Sequence, residues 1–197
     1  MDVDRRRLLT FAGLGGAAAL LSACGSGSKN KGEGPIAGEK PLQSSPAQPE
    51  SEVADVNVLN SALDLEYQAV AAYTAALKVL TGENLQVART FLAQEREHAV
   101  RLSAAVKEIG GRPDAARKRY AFPRLRTQED VLRFATRLEN TAIAAYIDAI
   151  PKLNDPDMRA TTASIAATEA EHLAVLNQAL GLRAAPAPFV TGTEAAA

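Results

Sequence analysis

Residues 95–98 read Glu95-Arg96-Glu97-His98, and residues 169–172 read Glu169-Ala170-Glu171-His172. The chain has two histidines in all, and each stands three positions after a glutamate. With 14 Glu among 197 residues, chance would place Glu three before both His about once in two hundred. Residues three apart share a helix face, so each pair can aim an oxygen and a nitrogen at one point.

A second pair of strings repeats in the same rhythm. Glu66-Tyr67-Gln68-Ala69-Val70-Ala71-Ala72-Tyr73 aligns with Glu139-Asn140-Thr141-Ala142-Ile143-Ala144-Ala145-Tyr146, 73 residues on, while the Glu-x-x-His strings are offset by 74. Two near-equal offsets mark an internal duplication of a helical hairpin.

The surrounding apolar residues follow the helical period. Leu59, Leu63, Val70, Tyr73, Leu77 and Leu80 form the first stripe, with Glu66 in its gap. Leu85, Ala88, Leu92, Ala99, Leu102, Val106 and Ile109 form the second around Glu95. Leu132, Ala135, Ile143, Tyr146, Ile150 and Leu153 form the third around Glu139, and Met158, Ile165, Leu173, Leu176 and Leu180 the fourth, with Glu169 and His172. Thr81-Gly82, Gly110-Gly111-Arg112-Pro113 and Gly181 are expected to end helices, as glycine does at a C-terminus. Thr127 with Asp130 predicts a capping box, and Asp155-Pro156 a cap followed by proline at the first helical position. The fold class expected is all-α, a four-helix bundle. Its turns near residues 82 and 154 are short, so each hairpin is antiparallel. The connection from Gly110 to Arg126 has 17 residues. A helix of ~25 residues is ~38 Å long, and 17 extended residues reach ~60 Å, so this crossover can run the length of the bundle and set helices two and three parallel.

Four carboxylates then stand where the stripes call for leucine. Burying one unpaired carboxylate costs several kcal/mol, on the order of 3–5 kcal/mol, so Glu66, Glu95, Glu139 and Glu169 at one level need a common counter-charge. Two divalent cations would neutralise the four, with neutral His98 and His172 completing the set. An oxygen-rich site with one nitrogen per ion suits iron or manganese better than structural zinc. Without metal, all four carboxyl pKa values are expected to rise.

With these residues in view, the chain resembles the ferritin-like superfamily, in which one Glu from each of two helices and a Glu-x-x-His from each of the other two hold a di-metal centre. Leu59-Asn60-Ser61-Ala62-Leu63-Asp64-Leu65-Glu66-Tyr67 is similar to exported ferritin-like domain proteins, a set with desiccation-related members. The resemblance implies Glu66 and Glu139 as terminal ligands, Glu95 and Glu169 as bridging ligands, and His98 and His172 as one terminal ligand each. The implied cofactor is two Fe ions, with Mn or mixed Mn/Fe as the alternative. Tyr73 and Tyr146, two turns beyond the terminal glutamates, are the candidate catalytic side chains, bonding ligands or taking part in oxidation; the plainer reading is core aromatics. Such sites often set an acid one turn before the terminal Glu to orient the opposing His. Here those positions are Ala62 and Ala135, so the imidazoles need other partners. Glu97 and Glu171 lie about 200° round from Glu95 and Glu169 and are expected in solvent, Glu97 pairing with Arg101.

The N-terminus reads as a targeting segment. Arg5-Arg6-Arg7, an apolar run from Leu8 to Leu21 and Leu21-Ser22-Ala23-Cys24 resemble a twin-arginine signal ending in a lipobox, with acylation of Cys24, the chain's one cysteine. That lone cysteine excludes disulfides, a Cys-rich zinc site and a rubredoxin-type iron site within the chain. The expected organisation is a signal peptide over 1–23, a lipidated Cys and flexible tether over 24–54, the bundle over 55–182 and an irregular tail over 183–197. The net charge of −1 gives no basic excess for nucleic acid.

Two functions of different kind follow as expectations. One is an envelope-anchored di-metal protein that oxidises Fe²⁺ or reduces O₂ or peroxide, served by Fe²⁺ itself or an external electron donor. The other is a non-catalytic metal-binding or stress-related envelope protein. An iron-storing cage fits less well with a lipid tether, which suits a monomer or small oligomer. The basic crossover (Arg112, Arg117, Lys118, Arg119, Arg124, Arg126) offers a contact for anionic headgroups, though such runs are more often solvated loops.

Overall fold

The computed structural model describes residues 49–193. The expected signal peptide, Cys24 and most of the expected tether lie outside them. Among the described residues there are four α-helices and no strand: α1 Glu50–Ala76, α2 Gly82–Glu108, α3 Gln128–Ala149 and α4 Pro156–Ala179. None is long and apolar enough to cross a membrane.

The boundaries refine the expected ones. α1 begins at Glu50, behind Pro49, so the last residues assigned to the tether over 24–54 are helical. It ends at Ala76, ahead of Thr81-Gly82. Thr81 precedes α2 and Gly82 opens it at φ +58°, so this glycine starts a helix rather than ending one. α3 stops at Ala149, and Ile150–Lys152 tightens into a 3-10 turn where Pro151 lacks a donor. The α3 capping box forms, with Asp130 N–H donating to Thr127 Oγ1 at 3.1 Å and Thr127 N–H to Asp130 Oδ2 at 3.0 Å. Asp155 caps α4 by accepting from the Asp157 and Met158 amides.

Helix directions follow from partners across the core. Tyr73 of α1 meets Glu139 of α3, and Tyr146 of α3 meets Glu66 of α1. Advancing along one helix means retreating along the other, so α1 and α3 are antiparallel. His172 with Glu95 and His98 with Glu169 give the same relation for α2 and α4. With each hairpin antiparallel, α2 and α3 are parallel, and a pseudo-twofold relates the hairpins.

The crossover runs along α1. Asn60 Nδ2 donates to the Arg112 carbonyl at 3.1 Å and Asn60 Oδ1 accepts from the Asp114 amide at 2.9 Å. Further on, Arg117 grips Asp64 with two N–H groups, and Phe122 packs edge-on against Phe134 of α3, centroids 5.6 Å apart. Gly110 (φ +76°) ends α2, and a side chain on Gly111 would meet Val56 at 2.5 Å.

Two apolar layers fill the bundle. One gathers Leu59, Leu63, Leu102, Val106, Leu153 and Ile165 with Tyr146; the other gathers Leu80, Phe91, Leu92, Val131, Leu132 and Leu176 with Tyr73. Each buried leucine contributes about 1.5–3 kcal/mol. On every helix the glutamate of the gap falls between these layers, and each layer lends one tyrosine to the polar slab. The tail has no helix or strand up to Thr193, yet it follows the bundle: Asn177 Nδ2 donates to the Ala184 carbonyl at 3.3 Å, and a Cβ on Gly192 would lie 2.4 Å from the Asn140 carbonyl oxygen.

Candidate metal centre

Glu66, Glu95, Glu139 and Glu169 are each at most 2 % exposed. They face one another across the axis with His98 and His172 between them. Around His98 Nδ1 lie Glu169 Oε1 at 3.0 Å, Glu66 Oε2 at 3.4 Å and Glu95 Oε2 at 3.6 Å. Around His172 Nδ1 lie Glu95 Oε1 at 3.1 Å, Glu169 Oε2 at 3.2 Å and Glu139 Oε1 at 3.6 Å. Glu95 and Glu169 thus turn one oxygen to each histidine, while Glu66 and Glu139 serve one histidine each.

Close as these atoms are, they do not meet as hydrogen bonds. Glu66 Oε2, Glu139 Oε2, both oxygens of Glu95 and Glu169, and both Nδ1 atoms are buried without a hydrogen-bond partner of acceptable geometry. Orphaned buried polar atoms cost about 1–3 kcal/mol each, and eight together point to a common occupant. They resolve into two donor sets, Glu66/Glu95/His98/Glu169 and Glu95/Glu139/Glu169/His172, in each of which one donor atom per residue lies within 4.8 Å of the others. Three carboxylates and one imidazole per set, with two of the carboxylates common to both, fit a pair of divalent ions.

One oxygen of each terminal glutamate accepts from a tyrosine. The Tyr73 hydroxyl donates to Glu139 Oε1 and the Tyr146 hydroxyl to Glu66 Oε1. Both tyrosines are nearly fully buried, so both candidate catalytic residues reach the cluster as well as filling the core. Burial, followed by the facing carboxylate, pushes both phenols well above their usual range.

The carboxyl groups split in two, against the expectation that all four rise. Burial lifts Glu66 to about 8 and Glu139 well above the ordinary carboxylate range. Burial would lift Glu95 and Glu169 too, but His172 and His98 beside them reverse the sign, lowering Glu95 and holding Glu169 at about 2. The imidazoles respond in kind: burial opposes their charge, yet Glu169, Glu66 and Glu95 raise His98 to about 12, and Glu139, Glu169 and Glu95 raise His172 to about 11. In metal-free protein the two imidazoliums are the counter-charge that the sequence expectation lacked.

Other residues complete the surroundings. Gln94 Oε1 lies 2.9 Å from His172 Nε2, and Phe91 stacks on the same imidazole with centroids 3.9 Å apart. Neither was singled out in the sequence. Phe91 stands one turn before Glu95 on the buried stripe, which was a signal; Gln94 reads as an edge residue and gave none. Ala62 and Ala135 are buried in the apolar layers, leaving Gln94 as the side chain that takes up the His172 ring. Glu97 and Glu171 are exposed as expected. Arg101 pairs with Glu108 at 2.9 Å and with Thr161 at 3.1 Å instead of with Glu97, because Glu108 lies two turns on along the same exposed face.

Residues 54–182 match the ferritin-like domain family, and the chain belongs to that family. Its fold is shared with solved structures of low identity. A conserved hypothetical protein from Mycobacterium tuberculosis is similar at 20 % identity and a TM-score of 0.61, over 64 % of this chain and 97 % of that one. A ferritin-like, diiron-carboxylate protein from Bacillus anthracis str. Ames is 22 % identical, TM-score 0.59, over 67 % and 99 %. The bacterioferritin-related protein from Bacteroides fragilis, a dodecameric thioferritin, is 24 % identical, TM-score 0.59, over 66 % and 86 %. No curated protein matches the chain.

Proposed function

We propose that this chain binds two divalent ions, iron or manganese, at Glu66, Glu95, His98, Glu139, Glu169 and His172, and there couples Fe²⁺ oxidation to reduction of dioxygen or peroxide. The observation that carries the reading is the sharing of Glu95 and Glu169, oxygen by oxygen, between two otherwise separate orphaned donor sets. A structural ion needs one closed set; two sets with common carboxylates hold two ions side by side. Such a pair supplies two one-electron oxidations, the number that takes dioxygen to peroxide or peroxide to water.

The chain's own residues do the rest. Glu95 and Glu169 bridge the positions, and Glu66 and Glu139 close them. Tyr146 and Tyr73 fix the rotamers of those terminal glutamates and offer the nearest phenolic protons to the cluster. The apolar layers above and below exclude bulk water. With one cysteine in the chain, electrons come from Fe²⁺ as substrate or from an external donor. We further propose that the twin-arginine-like segment exports the protein and that acylated Cys24 anchors it to a membrane of the bacterial envelope.

The test is anaerobic loading of the full chain with Fe²⁺, a count of bound iron after dialysis, then exposure to dioxygen or peroxide. Two irons per chain with oxidation above the free-iron rate is the expected result. His98→Ala and His172→Ala should each keep about half the metal and lose nearly all the oxidation, because both ions are needed at once. Two bound irons with no oxidation above background would leave the alternative, a metal-holding or stress-related envelope protein.

A further inference from the structure

The pseudo-twofold supplies an internal control for every residue of the cluster, and at two positions the halves disagree. Phe91 and Gln94 of α2 correspond to Ile165 and Thr168 of α4, each at the 74-residue offset that relates the Glu-x-x-His strings. Phe91 stacks on His172 at 3.9 Å, with 26° between the rings, and Gln94 Oε1 faces His172 Nε2 at 2.9 Å. Around His98, the corresponding Thr168 has a shorter side chain whose hydroxyl donates to its own helix at the Ser164 carbonyl, 3.3 Å away. Ile165 is part of an apolar layer and offers no ring to stack. The consequence shows in access: the His172 side chain is 2 % exposed and that of His98 13 %.

We propose that Gln94, with Phe91, is a positioning residue that makes the two metal positions inequivalent. Resting on the reading of the cluster as a two-ion centre, the inference is that the His172 position fills first and holds its ion, while the His98 position fills second and exchanges. Gln94 Oε1 is an acceptor, so it keeps the Nε2 proton in place and turns Nδ1 toward the carboxylates, ready to receive the ion. Phe91 fixes the plane of the ring. A ring held in orientation and plane before the ion arrives loses no such freedom on binding, and partners of this kind are worth about 10–100-fold in affinity. His98, at the solvent edge without the equivalent pair, has no such advantage.

The experiment is stepwise anaerobic titration of the full-length protein with Co²⁺ alone, followed by calorimetry and visible absorption. Proton NMR in water would follow the paramagnetically shifted imidazole N–H signals. Wild type is expected to take up two ions in separate steps at least tenfold apart. The first step should bring a slowly exchanging N–H signal, from His172 shielded by Gln94, that is absent from His172→Ala and retained in His98→Ala. Gln94→Ala should weaken the first step about 10–100-fold, leave the second unchanged and speed exchange of that signal; Gln94→Glu, which keeps an acceptor, should restore the slow signal. Thr168→Ala, at the pseudo-equivalent position, should alter neither step. Two steps of equal affinity, insensitive to Gln94→Ala, would overturn the inference and leave the two-ion reading intact. No Co²⁺ bound by wild type would overturn both.

Discussion

In the metal-free cluster Glu66 and Glu139 are held above the usual carboxylate range and both imidazoles above theirs, while Glu95 and Glu169 are held below the carboxylate range. With both imidazoles and both terminal glutamates protonated the cluster would be neutral, as it would be with two divalent ions, neutral imidazoles and four carboxylates. Loading at neutral pH should therefore release protons, up to about four per chain, measurable by calorimetry in buffers of different ionisation enthalpy. Release of none would mean that the ions bind elsewhere. The signs for stability follow. Glu66 has a folded pKa of about 8, above its unfolded value, so its contribution is complete below the unfolded value and lost as pH rises through about 8. Metal-free protein should melt at a lower temperature at pH 9 than at pH 7, while metal affinity should rise over the same interval. At this scale the buried Glu and His cluster was legible because glutamate on a leucine stripe needs a reason. The proton inventory was not, since it depends on which histidine faces which carboxylate.

Asp55 plays a part between elements that its place in the sequence does not announce. It is 2 % exposed, in the second turn of α1, and its carboxylate accepts from the Asn154 amide at 2.8 Å, the Asn154 side chain at 2.9 Å and the Asp155 amide at 2.9 Å. It thereby fastens α1 to the turn that joins α3 to α4. Asp55→Ala removes the acceptor shared by these exposed and half-buried donors and should cost about 1–2 kcal/mol, read from urea unfolding of the metal-free protein. Burial opposes the charge, but the Asn154 and Asp155 donors outweigh it and hold the carboxyl below its ordinary value. Its contribution is present above the unfolded pKa and lost as pH falls through the lower folded one. An unchanged midpoint in Asp55→Ala would show that the turn is held by its own caps. The helices themselves were legible from period and punctuation, and the crossover from its length. The start of α1 was not, because Pro49 after a Gly- and Pro-rich stretch reads as tether, and Thr81-Gly82 reads equally as an end or a beginning.

For the whole molecule, the proposed export and anchoring have their own test. Cys24→Ala should move the protein from the membrane fraction to a soluble exported pool, because a single acyl anchor is removed; a variant that still sediments with membranes would place the anchor elsewhere. Lysine at both Arg5 and Arg6 should block export if the twin-arginine reading is right. The pseudo-twofold carries a different implication. The first donor set takes Glu66, Glu95 and His98 from the α1–α2 hairpin and borrows Glu169; the second takes Glu139, Glu169 and His172 from the α3–α4 hairpin and borrows Glu95. Each hairpin alone therefore presents three donors, one vacant corner and an uncovered apolar stripe, and its opposite number closes the corner and covers the stripe in a single docking event. Two copies of one hairpin would meet that requirement as well as two halves of one chain do. In such a dimer, acquiring the ion and acquiring the partner would be one equilibrium, and the crossover converts it from a matter of concentration into a property of the single chain.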